Sequence, residues 1–214
     1  MAYLKDFHKD ILPDVQGCPI SILNNALMNS IIDFCKGSQI WKEDLAPIDI
    51  VEDVAEYHIM TGYGERVVTV DYATFNGAKL YKIASHDLDK YSNNWREEST
   101  KQPTYFMLVS PEKIRLVGTP TESIPSGLVI YASLCPTRDA TCVPDFLYED
   151  WGPTIAHGAL YRLHAMSNKT WANAGISGWH ERKYRNGLSR ARTQALKSLL
   201  NIDKQITPVS FYKG

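Results

Sequence analysis

The chain of 214 residues has almost no net charge, few cysteines and no long apolar run, and each shortage closes off a class of function. Lys plus Arg number 23 against 24 Asp plus Glu, a formal charge of −1, so no global field draws the protein to nucleic acid or to an anionic membrane. Any electrostatic role must be local. Charge or proline interrupts the apolar runs within a few residues, far short of the roughly 20 needed to cross a bilayer, so no membrane partner is expected. The segment Met1 to Asp10 carries Lys5, Asp6, Lys9 and Asp10 and no apolar stretch of the secretory kind. With only four cysteines, reduced thiols are expected rather than a disulfide framework.

Catalytic signatures are equally scarce. No Walker A pattern, no Gly-x-Ser-x-Gly and no His-Glu-x-x-His occurs. Gly62-Tyr63-Gly64-Glu65-Arg66-Val67 opens like a dinucleotide loop, but it lacks the third glycine and runs into β-branched residues, which favours a turn before a strand. Asp87-Leu88-Asp89 starts with calcium-loop spacing, yet Tyr91 and Ser92 occupy the places of an oxygen ligand and the turn glycine. Cys135, Cys142, His157 and His164 are the residue types that hold zinc. Six residues separate the members of each pair, however, where one turn would have to deliver both to a tetrahedron. A Cys142 nucleophile with a His157 base would need an electropositive setting that the sequence does not provide. The expectation is no enzyme, no metal and no cofactor.

What the sequence does contain is a change of period. Ile20, Leu23, Leu27, Ile31, Phe34 and Cys35 recur at steps of three and four, predicting a helix from Pro19 to Lys36 with Gly37 at its end. The preceding Leu12 to Cys18 reads as an extended arm. Between Leu45 and Leu134 short apolar runs predict strands at 48–51, 56–60, 65–75, 80–83, 104–109, 114–117 and 128–132. Asn76-Gly77 marks a hairpin because both turn residues tolerate positive φ. A short helix is expected at Asp87 to Tyr91, capped by Ser85. Helical period returns over Trp151 to Met166, and again from Trp179 to Leu200 along Tyr184, Leu188, Ala191, Ala195 and Leu199. Gln205 to Gly214 reads as an extended tail. The fold class expected is α+β: a helical bundle, 1–44 plus 135–214, carrying an inserted antiparallel β domain at 45–134, a small sandwich or barrel.

The local electrostatic feature lies on the last helix. His180 to Lys197 carries Arg182, Lys183, Arg185, Arg190, Arg192 and Lys197 against Glu181 alone, a formal +5 that leaves −6 on the rest of the chain. On a helical wheel Arg185 and Arg192 flank one side of the apolar spine, and Lys183, Arg190 and Lys197 flank the other. An ordinary amphipathic helix with cations beside a buried stripe accounts for this pattern. A contact surface for an acidic protein or for DNA phosphate is the sharper reading. Apolar alternation favours protein, because base readout needs polar residues aimed at base edges.

Leu12-Pro13-Asp14-Val15-Gln16-Gly17-Cys18-Pro19, with Ala26-Leu27, Phe34-Cys35, Ser38 and Trp41, resembles the start of tailed-bacteriophage head-to-tail adaptor (head completion) proteins. Pro144-Asp145-Phe146-Leu147, Ile155 to Leu163, Trp171, Asn173, Tyr184 and Ala191-Arg192 carry the same likeness, and a more distant one to tail tubular protein A. The similarity covers both helical regions, about half of the chain. It implies a non-enzymatic virion protein of the neck between capsid and tail, assembled in the host cytoplasm as a ring of about twelve copies. Such a ring has the portal protein on one side and tail or nozzle proteins on the other, and it lets genomic DNA pass without sequence-specific binding. By position, the resemblance assigns portal contact to Arg185, Arg190, Arg192, Lys197, Phe211 and Tyr212, and subunit contact to Leu12 and Val15 in the arm. The alternative is a DNA-binding packaging or regulatory protein that uses the basic helix.

Overall fold

The computed structural model describes residues 1–91 and 94–200. It is a mixed α+β fold in which helices pack beside a curled, half-barrel sheet. In chain order the elements are β1 (Ala2–Tyr3), α1 (Ile20–Ser38), β2 (Lys42–Asp44), β3 (Ile48–Ile50), β4 (Glu56–His58), β5 (Glu65–Phe75), β6 (Ala78–Lys82) and α2 (Ser85–Tyr91). There follow β7 (Ser99–Thr100), β8 (Tyr105–Ser110), β9 (Lys113–Val117), β10 (Thr119–Pro120), β11 (Ile124–Pro136), β12 (Cys142–Val143), α3 (Asp145–Glu149), α4 (Gly152–His164) and α5 (Ala174–Leu200).

The spine of the sheet is the antiparallel pair β5–β11, which runs from Leu128↔Phe75 to Pro136↔Glu65 with two register shifts. Such irregularities bend strands and raise their twist, which suits a sheet that curls. Strand β6 joins β5 through Asn76-Gly77, both at positive φ as the hairpin signature requires. The path then continues β6-β8-β9-β4, with β2 and β3 pairing the other side of β11. Not all pairing is antiparallel, as the sequence reading expected. Strand β6 runs parallel to β8, and β7 runs parallel to β10. The segment holding α2 carries the chain across before β8 begins, and parallel neighbours need that kind of crossover.

Inward-facing Val67, Val70, Ala73, Phe75, Leu80, Phe106, Ile114, Leu116, Leu128 and Ile130 fill the curl. They belong to one hydrophobic cluster that continues without a break into Leu27, Phe34, Trp41, Ile155, Leu163 and Tyr184 of the helical side. There α1, α4 and α5 pack on one another, and α1 also touches β11.

Two expectations about ends are corrected. The helix α1 does not stop at Gly37; it runs to Ser38, and Gln39 takes the left-handed φ of 54°. Gly37 serves packing instead, because a Cβ there would lie 3.1 Å from the Leu188 side chain of α5. The arm Leu12 to Cys18 is not extended throughout either, since it opens with a 3₁₀ helix at Leu12–Asp14 with Pro13 in its first turn, and a further 3₁₀ helix at Leu4–Asp10 precedes it. Phe7, Ile11 and Val15, four residues apart, are all fully buried. That spacing is a helical signal which Pro13 and Gly17 masked at the level of sequence. Val15 therefore faces its own core rather than a neighbour, and Leu12 remains 36% exposed.

The tightest crossing lies at Gly158 of α4. A Cβ there would sit 2.0 Å from Ser30 Oγ and 2.7 Å from the Tyr184 ring. Substitution Gly158→Ala should cost about 2 kcal/mol, the usual scale of overpacking a filled core. Gly178→Ala in α5, whose nearest neighbour is an arginine tip at 4.0 Å, should be neutral or stabilising by up to about 1 kcal/mol. Urea unfolding of the two variants checks the contrast.

Candidate functional site: the basic face of α5

The helix α5 begins earlier than its apolar spine suggests, because Asn173 Oδ1 accepts the Ile176 N–H at 3.2 Å and caps the first turn. An Asn ahead of Ala174-Gly175 is a capping signal that could have been read from sequence. His180, Tyr184, Gly187, Ala191 and Ala195 form the buried stripe. Gly187 lets α4 come close, since a Cβ there would meet Thr154 Oγ1 at 2.5 Å. The hydroxyl of Tyr184 donates to Ser30 O at 3.4 Å, and burial pushes its phenol pKa up. With that side locked against α1 and α4, the opposite side is fixed toward solvent. Arg182, Lys183, Arg185, Arg190, Arg192 and Lys197 are all exposed on it.

The cations are not equivalent. Arg185 donates twice to Glu181 Oε1, at 3.0 and 2.6 Å, and this bonding holds its guanidinium pKa above the ordinary value. It is largely neutralised by its own helix. Lys183 lies 5.5 Å from the Trp179 ring centroid, within cation–π range. Arg190 and Arg192 form no ion pair among the described residues.

Arg190 and Lys197, one side of the wheel, border a groove of about 440 Å³ that Trp151, Ser189, Thr193 and Gln194 complete. On the other side of Trp151, a second groove of about 300 Å³ is lined by Ile40, Lys42, Phe146, Asp150, Gln194 and Ala195. Trp151 thus forms a wall common to both, nearly buried at 8% exposure, and its indole N–H has no hydrogen-bond partner among the described residues. Burial lowers the Lys42 pKa against the opposing pull of Asp71, whose Oδ2 lies 4.0 Å from Nζ. Asp71 in turn accepts the Ser133 hydroxyl at 2.7 Å. The grooves beside Trp151 were not visible in the sequence. Phe211, Tyr212 and the Gln205 to Gly214 tail lie outside the described residues.

A second exposed feature is a row of tyrosines across the outer face of the sheet. Tyr131 is the register partner of Tyr72, with rings stacked at 5.0 Å, and Tyr81 is the partner of Tyr105, at 6.2 Å. The Ala73↔Leu80 pair makes Tyr72 and Tyr81 adjacent across β5 and β6. Sequence reading missed this row because four strands have to be aligned before it exists.

The zinc-type residues are not gathered into a site. Cys135 is buried, and its sulfur accepts the Arg66 Nε–H at 3.2 Å. Burial raises the pKa of the Cys35 thiol, with Cys135 adding to the effect, and burial likewise raises that of Cys18, so neither is disposed to be a thiolate nucleophile. Among the described residues no group of three or more His, Cys, Asp or Glu is placed to hold a metal ion. None of the described helices is long and apolar enough to cross a membrane.

No protein-family model matches the chain, and no curated protein matches it.

Because Arg190 and Arg192 are exposed and form no ion pair among the described residues, the double reversal Arg190→Glu, Arg192→Glu should leave the fold intact. Its melting temperature should stay within about 2 °C of the parent protein, the effect of surface changes worth about 0.5 kcal/mol. Differential scanning calorimetry makes the comparison. A larger drop would assign these residues to packing.

Proposed function

We propose that the protein is a structural connector: a head-to-tail adaptor subunit of a tailed-phage virion, joining the portal ring to the tail around the DNA channel. The observation that carries this reading is the row of exposed cations on α5, of which Arg190 and Lys197 border the groove beside Trp151. Packing of the buried stripe fixes the side of the helix from which the row projects. A rigid basic ridge next to an aromatic wall suits an acidic protein surface, where Arg and Trp are strong anchors.

On this reading 1–44 and 135–214 form the helical unit that meets the portal, and 45–134 is the β domain it carries. The residues of the resemblance support it, since Leu27, Phe34, Trp41, Leu147, Ile155, Leu163, Tyr184 and Ala191 all lie in the buried cluster that sets the helix packing. Arg190, Arg192 and Lys197 then supply portal contacts, with Phe211 and Tyr212 following them in sequence. Arg185 has the weaker claim because Glu181 already holds it. No chemistry is assigned.

The decisive experiment is light scattering of the purified chain, alone and with portal rings of the phage that encodes it. Entry of about twelve copies into each ring, the stoichiometry of closed symmetry, supports the proposal. The Arg190→Glu, Arg192→Glu variant should fail to join while melting normally. If the chain ignores portal rings but binds duplex DNA at low salt, with affinity falling steeply as salt rises, the basic ridge is a phosphate-binding face and the connector reading falls.

A further inference from the structure

Three histidines meet where α4 ends and α5 begins. His157 and His180 face each other with Nδ1 atoms 2.9 Å apart, so one ring donates an N–H and the other accepts it. The His180 ring is 5.0 Å from that of His157 and 5.5 Å from that of His164, which lies nearly parallel to it. His164 Nδ1 is 2.7 Å from Trp171 O; a carbonyl only accepts, so Nδ1 carries the hydrogen and Nε2 is left with a lone pair. That Nε2 is buried and has no hydrogen-bond partner among the described residues, and both His164 and His180 are 4% exposed.

The charged groups around the cluster are few. From α5, the Lys183 cation acts against charge on His157; from the 3₁₀ helix ahead of α1, the Asp14 carboxylate favours charge on both His157 and His180. Trp179 packs edge-on against His157 and His180 at 5.3 and 4.8 Å.

We propose that the His157–His180 pair, packed against His164, forms an acid-sensitive latch that fastens the first turns of α5, and the loop leading into them, to α4 when neutral and releases them on acidification. The hydrogen-bond inventory gives the reason. The His157–His180 pair can take up one proton on an outer nitrogen, but a second puts hydrogens on both facing Nδ1 atoms and forces the rings apart.

The direction of the pH effect follows. Burial, first, and neighbouring positive charge, second, hold the His157 and His180 pKa values below the ordinary histidine value. The open state therefore binds more protons than the closed one. The latch contributes fully above about pH 6.5 and weakens as pH falls through that value toward the lowered pKa values. Acid loosening should stay confined to this corner, because the sheet and α1 bury none of these groups.

The test is hydrogen–deuterium exchange of the intact chain between pH 7.5 and 5.0, corrected for intrinsic exchange, alongside NMR titration of the imidazole C–H signals. Peptides within 165–182 should lose protection by about tenfold, the scale of one proton-linkage unit, while peptides from β5 and β11 keep theirs. His157 and His180 should titrate below pH 6.5 in step with that loss. In the variant His157→Gln, His180→Phe the acid-dependent part of the loss should vanish. Histidines titrating independently near 6.5 with 165–182 still protected would overturn the proposal. So would equal loss of protection across the sheet, which would be ordinary acid unfolding. The wild-type measurements decide the matter even if the variant does not fold.

Discussion

The close crossing of α4 with α1 and α5 is the constraint on which the remainder of the molecule rests. Gly158 and Gly187 remove the side chains that would hold these backbones apart, and Ser30 and Tyr184 occupy the space at Gly158. The hydroxyl of Ser30 donates to Ile155 O at 2.7 Å and the Tyr184 hydroxyl donates to Ser30 O, so the crossing is both filled and hydrogen-bonded. A buried polar group is acceptable there because each has its partner. Arg162 covers the edge, donating to Gly158 O at 2.6 Å and to Asp33, with its guanidinium over the rings of Tyr161 and Tyr184. Once that crossing is set, the rotation of α5 about its axis is set too. The direction in which its cations point is a consequence.

The same crossing places the histidines. His157 stands one residue before Gly158, and His180 stands one helical turn before Tyr184, so the approach of α4 to α5 that buries Tyr184 also brings the two imidazoles to hydrogen-bonding distance. The basic face and the latch are therefore two edges of one packed helix pair. One edge meets solvent with permanent charge. The other is largely buried, with a charge state that depends on pH.

The sheet contributes a different constraint. The long β5–β11 pair with its two register shifts curls the sheet around its own apolar side, and the enclosed residues merge with the helical core. Folding of the helices and of the curl should therefore be strongly coupled, whatever boundary the chain order suggests at 45 and 134. The tyrosine row on the outer face is a by-product of register: shift one strand by a residue and the row would point inward.

Sequence alone determined what short-range periodicity can encode. It marked α1, α4 and most of α5 by the three-and-four step, the β5–β6 hairpin by Asn76-Gly77, and the basic face by the run from Arg182 to Lys197, because each signal is contained within one element. It misread Leu12 to Cys18 as an extended arm because Pro13 and Gly17 spoke louder than the spacing of four that links Val15 to Ile11 and Phe7, and it took Gly37 for a helix stop when its purpose is to admit Leu188. Only tertiary structure decided the rest. The parallel pairing of β6 with β8, the grooves beside Trp151 and the meeting of three histidines all depend on distances between residues far apart in the chain. Packing fixes those distances, and no local pattern of residues records them.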